Sequence, residues 1–66
     1  MSKAPEQIKA WAAREGRKLG WLAEQVPVGQ SDLSRWLNGK AKPRRIYRAQ
    51  LAEITGLQVA DDSAWQ

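Results

Sequence analysis

Neither cysteine nor histidine occurs anywhere in the 66 residues, and this decides how such a chain can hold itself together. A chain this short buries only about 60% of the surface its unfolded form exposes, so small domains commonly recruit disulfides or metals. With no thiol there is no disulfide framework and no thiolate metal site. With no imidazole either, a zinc site would need carboxylates alone, which zinc rarely accepts. Stability must come from packed apolar side chains, with a partner subunit as the further resource. The side chains for a core are present: hydrophobic types make up 42% of the sequence and include four tryptophans, each a large buried area when packed. One domain spanning residues 1–66 is expected.

Breakers cut the chain into short helical stretches, and no stretch alternates apolar and polar residues as a strand does. The first helix is expected over about Ala4 to Glu15, with Pro5 in the first turn, where its missing N–H costs nothing, and Gly16 after the end. Ile8 and Trp11 share its inner face. A second helix is expected over about Lys18 to Val26, with Leu19, Leu22, Ala23 and Val26 as the buried stripe and Pro27 as the stop. Val28 then plugs the turn. A third helix starts at Gly29 or Gln30, carries Asp32 in its first turn against free backbone N–H groups, and ends at Asn38-Gly39. Leu33, Trp36 and Leu37 face inward. The loop Lys40-Ala41-Lys42-Pro43 leads to a fourth helix over about Arg44 to Thr55, closed by Gly56. Ile46, Leu51 and Ile54, with Ala49, form its apolar pattern. Leu57 and Val59 are placed to pack back on the core. The tail beyond Ala60 gives no clear signal, and Trp65 packs either on this fold or on a second subunit. Trp21 does not fit its helix's buried stripe, and Tyr47 covers the core or touches a phosphate.

Charge is unevenly distributed. The formal net charge is +4, and no acid occurs between Asp32 and Glu53, a window that holds Arg35, Lys40, Lys42, Arg44, Arg45 and Arg48, six of the eleven basic residues. Such a surface attracts polyanions; the competing reading is an ordinary solvated face. No apolar run approaches the ~20 residues a membrane span needs, and Met1 to Glu6 has no apolar stretch like a signal peptide's. A soluble, cytoplasmic protein with no membrane contact is expected.

The most informative segment runs from Leu22 to Gly39. Two helices that pack at a steep angle, with the second free to enter a DNA groove, require four things. A small residue lets the helices approach, here Ala23. A tight turn carries one apolar plug, Val28. Apolar inner faces lock the angle, here Leu22, Val26, Leu33 and Trp36. The outer face of the second helix stays polar, here Gln30, Ser31, Ser34 and Arg35. The side-chain chemistry suits base reading: Gln bonds adenine N6 and N7 together, and Arg bonds guanine O6 and N7.

These residues resemble the helix-turn-helix of the phage Cro and repressor superfamily. Leu22-Ala23 followed by Val28, then Gln30-Ser31, Leu33-Ser34, Leu37-Asn38-Gly39 and Lys40, Lys42-Pro43, is similar to that family's pattern, and Leu51-Ala52-Glu53-Ile54-Thr55-Gly56 resembles its fourth helix. The likeness covers roughly Ile8 to Leu57. It implies an all-α compact bundle of four to five short helices of the lambda-repressor type, with the helix-turn-helix at about 19–38, a basic loop at 38–45 and a C-terminal tail at 57–66. Gln30, Ser31, Ser34 and Arg35 match base-reading positions. Asn38, Lys40, Lys42, Arg44 and Arg45 match the loop that holds the sugar–phosphate backbone, with Arg48 a weaker candidate. Pro27 stands where the family usually has glycine, and it removes a donor and fixes φ near −65°. Leu19 stands where the family often has a phosphate-binding Gln, leaving Lys18 or Arg17 for that contact. Gly29 is a weaker cap than the usual Ser or Thr.

The resemblance implies a sequence-specific double-stranded DNA-binding transcriptional regulator, a Cro-like repressor of a bacterial or phage-infected cell. It also implies a homodimer, at least on DNA, with half-sites about one helical turn apart; Gly56 to Gln66 is the expected contributor. No cofactor, no metal and no small-molecule substrate are expected. An enzyme is not expected, because the acids Glu6, Glu15, Glu24, Asp32, Glu53, Asp61 and Asp62 form no obvious pair and there is no phosphate-cradling glycine loop. The alternative is a protein-interaction module of the antitoxin or sigma-factor-adaptor type on the same fold. An exposed Leu, Phe or Met on the third helix would favour it, and that face carries none.

Overall fold

The computed structural model describes residues 3–65 and places four α-helices and one 3-10 turn among them: α1 Ala4–Glu15, α2 Leu19–Gln25, α3 Gln30–Leu37, α4 Arg45–Thr55 and the 3-10 helix Asp62–Trp65. No strand occurs among the described residues. The chain is an all-α bundle, as expected from its breakers, and helix ends agree with the sequence expectation to within one residue. Lys18, Val26 and Arg44 are capping residues rather than helical ones.

Local chemistry explains the stops. Gly16 takes φ 67, and the chain then doubles back so that Arg17 N–H reaches Ala12 O at 2.8 Å and Gly16 N–H reaches Ala13 O at 3.3 Å. The same paired bonds close α3, where Lys40 N–H meets Arg35 O at 2.8 Å and Gly39 N–H meets Trp36 O at 3.3 Å, with Gly39 at φ 74. Both are Schellman closures, which need a left-handed residue that glycine adopts without steric cost. Pro27, in the turn between α2 and α3, lies at φ 21. The ring ordinarily holds φ near −65°, so the turn departs here from the sequence expectation.

Ile8, Leu22, Val26, Leu33, Leu51, Val59 and Pro43 are fully buried, with Trp36, Leu37 and Trp65 close behind. One contribution comes from every helix, from the loop and from the tail. Trp36 also packs against Tyr47, with ring centroids 5.4 Å apart, so Tyr47 serves as partial cover for the core.

Several side chains depart from the sequence expectation. Trp11 is only half-buried and stacks on Trp21 at a centroid separation of 6.3 Å, on the flank of α1 and α2 and outside the central cluster. Leu19 is 39% exposed: it is the first residue of a seven-residue helix, and helical side chains tilt toward the N-terminus, here past the edge of the core. Ile46 is 62% exposed. The inner face of α4 is set by Tyr47, Leu51, Ile54 and Thr55, and Ile46 sits about 100° around the helix from Tyr47. Ala49 is exposed as well.

The described part of the tail, residues 57–65, packs on the bundle. Residues 62–65 form the 3-10 turn, Trp65 is buried, and the guanidinium of Arg48 ties the segment to the bundle. Arg48 Nε donates to Ala60 O and Nη1 donates to Pro43 O, each at 2.9 Å, with Asp62 3.7 Å from Nη1. The side chain of Arg48 is 14% exposed. It is a clasp between loop, α4 and tail, which corrects its candidacy as a phosphate contact.

Candidate nucleic-acid interface

Two constraints aim α3. Leu33, Trp36 and Leu37 are buried, which turns the opposite side outward, and Gln30, Ser31, Ser34 and Arg35 are all exposed. The four expected base-reading residues therefore share one outer face of a single helix. The Schellman closure at Gly39 then swings the chain into the loop. Pro43 is fully buried and pins that loop to the core, while Asn38, Lys40, Lys42, Arg44 and Arg45 on either side of it are exposed. Lys18, the capping residue of α2, is exposed too. All ten expected contact residues lie at the surface.

The outer face of α3 has internal structure that the sequence does not advertise. Nη2 of Arg35 pairs with Oδ1 of Asp32, three residues earlier on the same helix. Asp32 was expected to meet free backbone N–H groups; its carboxylate instead engages Arg35, because residues three apart are neighbours on a helix surface. At the other end, Asn38 Nδ2 donates to Ser34 Oγ at 3.2 Å, and Lys9 Nζ donates to Asn38 Oδ1 at 3.4 Å. Lys9 thus enters the site from α1. No local pattern could reveal it, because the contact joins residues 29 apart in sequence.

At the start of α3, the Gln30 side chain lies across Gly20 of α2. A Cβ at Gly20 would stand 2.6 Å from Gln30 Nε2. The absence of a side chain at Gly20 lets the amide rest there. Next to it, the Arg17 guanidinium sits 4.4 Å from the ring centre of Trp21, a cation–π arrangement. Arg17 is thereby held beside Lys18.

Among the described residues, no group of three His, Cys, Asp or Glu side chains gathers as metal ligands. No helix among them is long and apolar enough to cross a membrane.

Compared with known proteins, the chain matches no family model, no curated protein and no solved structure.

Proposed function

We propose that the protein is a sequence-specific double-stranded DNA-binding regulator, a Cro-like repressor, that docks α3 in the major groove and grips phosphates with the 38–45 loop. The observation that carries this reading is the division of α3: its apolar residues are all buried, while Gln30, Ser31, Ser34 and Arg35 stand together on the outer face beside an acid-free run of exposed cations. Eight helical residues span about 12 Å, and a helix of ordinary diameter fits a groove about 12 Å wide. Gln and Arg have donor patterns that match adenine and guanine edges. Lys40, Lys42, Arg44, Arg45 and Lys18 supply affinity and register through phosphates, and carry no sequence information. Lys9 joins them through Asn38.

Dimerisation on two half-sites is part of the proposal. The tail's large apolar residues, Val59 and Trp65, pack on the chain's own core, so a dimer contact from this segment would use Gln58, Asp61 or Ser63, which are exposed. Sedimentation of free and DNA-bound protein tests this; monomer in both states sinks the dimer.

The primary experiment is selection from a randomised duplex pool at several salt concentrations. An enriched motif, together with a log–log salt slope of about −4 or steeper, is the expected result for a reader neutralising several phosphates. A steep slope without a motif means non-specific binding. No binding at low salt overturns the proposal and favours a protein partner on the same face.

A further inference from the structure

The Asp32–Arg35 pair lies along one edge of the face assigned above to base reading, with Asp32 just beyond Arg35 around the helix. Both side chains are about half open to solvent, 51% for Asp32 and 58% for Arg35. Neither is held by burial, so the pairing does little for the fold: exposed ion pairs of this kind contribute little to stability. An acid is also an odd occupant of a surface meant for a polyanion. Asp32 is the last acid before a window that runs to Glu53 without another.

We propose that Asp32 is a specificity-determining residue, which holds Arg35 for a guanine edge and penalises its use on phosphates. The inference rests on the DNA-reading role of α3. A guanidinium has five N–H donors. Asp32 engages Nη2, leaving donors on Nε and Nη1 and a second hydrogen on Nη2. A guanine offers two neutral acceptors, O6 and N7, which those donors can meet while the carboxylate stays in place. A phosphate offers the same donors a full negative charge, and brings it against the carboxylate of Asp32. The attraction to Arg35 is then offset by repulsion from Asp32. The pair lowers the electrostatic, sequence-independent part of binding more than the base-reading part.

The geometry adds a second consequence. An unpaired arginine on a solvated helix face samples many rotamers, and fixing it on binding costs side-chain entropy. Pairing with Asp32 restricts Arg35 to the Asp32 edge of the outer face before DNA arrives, which lowers that cost for a contact made from this edge. Removing the carboxylate frees Arg35 to reach either flanking backbone.

The test compares wild type, Asp32→Asn, Arg35→Gln and the double variant on two duplexes of equal length, the one selected by wild type and a scrambled one. Fluorescence anisotropy is read at three salt concentrations, with circular dichroism to verify folding. Asp32→Ser, which removes the same charge and suits a helix start, serves as the second variant. In Asp32→Asn, binding to the scrambled duplex should tighten by about fivefold, the scale of like charges a few Å apart in a mostly aqueous setting. Its salt slope should steepen by about one as Arg35 takes a phosphate, and the ratio of selected to scrambled affinity should fall. In the Arg35→Gln background the same change should tighten both duplexes alike through the lost repulsion, with no fall in the ratio and no steeper slope, since the selective part of the effect acts through Arg35. The inference is overturned if the ratio is unchanged, if both duplexes weaken equally, or if the ratio still falls without Arg35. Failure of wild type itself to prefer any selected duplex would remove the DNA-reading role, and this inference with it, which is a different result from those three.

Discussion

The indole N–H of Trp65 donates to the carbonyl oxygen of Val59 at 2.8 Å, and both residues are buried. The bond closes the tail into a loop around its own hydrophobic anchor. It also satisfies the one polar atom that burying a tryptophan side chain would otherwise strand. A domain of this length has a total stability of roughly 3–10 kcal/mol. Trp65→Ala removes a large core side chain, at about 3–5 kcal/mol, so it should leave the domain largely unfolded or close to it at 37 °C. Trp65→Phe keeps most of the apolar volume and loses the bond, at about 1–2 kcal/mol. Urea denaturation followed by far-UV circular dichroism checks both. An unchanged midpoint for Trp65→Ala would show that the tail is not part of the folded core.

Arg48 offers a contrast between a structural and a ligand-binding cation. Its guanidinium meets two backbone carbonyls, Pro43 O and Ala60 O. Arg48→Met keeps the apolar stem but leaves both acceptors without their charged donor, which should cost about 1–3 kcal/mol. For a domain of this size that lowers Tm by several degrees, about 4–8 °C per kcal/mol. The salt slope of DNA binding should not change. A shallower slope with unchanged Tm would return Arg48 to the phosphate-binding set.

Helix limits were legible in the sequence because each stop is a local event. Gly16, Gly39 and Gly56 act on backbone conformation at their own positions and Pro27 on the residue before it, so no tertiary knowledge is needed. The outward face of α3 was legible for a similar reason: Leu33, Trp36 and Leu37 fix the inner side by periodicity alone. What could not be read depends on partners distant in the chain or on the limits of short helices. Ile46 fits an apolar repeat with Leu51 and Ile54 on paper, yet the face of α4 that meets the core is chosen by Tyr47 and Thr55. Trp11 has good helical spacing with Ile8, but its neighbour is Trp21 rather than the core. Lys9 joins the α3 face through Asn38, and Arg48 clasps Pro43 and Ala60. The Asp32–Arg35 pair is legible in principle, since three-residue spacing on a helix brings opposite charges together, but a first-turn acid equally suits free backbone N–H groups.

If the proposed function holds, residues assigned to bases and residues assigned to phosphates should respond differently to alanine. Arg35→Ala should lose about 1–3 kcal/mol of discrimination at one base pair and leave preferences elsewhere intact. Lys42→Ala should weaken binding to all duplexes alike and reduce the magnitude of the salt slope by about one. Repeating the duplex selection with each variant separates the two. If Lys42→Ala erased one motif position, or Arg35→Ala weakened every sequence equally, the roles assigned to helix and loop would be wrong.

Gly20 links helix stability to the base-reading role proposed for Gln30. Its φ is not in the left-handed region, so glycine is not needed there for backbone reasons. An alanine would gain up to about 1 kcal/mol of helix propensity. The added methyl would stand 2.6 Å from Gln30 Nε2 and 3.4 Å from Gln30 Cδ, too close for the present rotamer. The obstructing atoms are the far end of a flexible, exposed side chain, so Gln30 can swing aside at little cost to the fold. Gly20→Ala should therefore hold or raise the denaturation midpoint while weakening the base preference at the position Gln30 reads. Denaturation and duplex selection on the same variant test both halves. A clear loss of stability would mean that Gln30 is held in place by more than its contact across Gly20. An unchanged motif would mean that Gln30 reads DNA from another rotamer, or not at all, and would shift the reading of that base pair to Ser31.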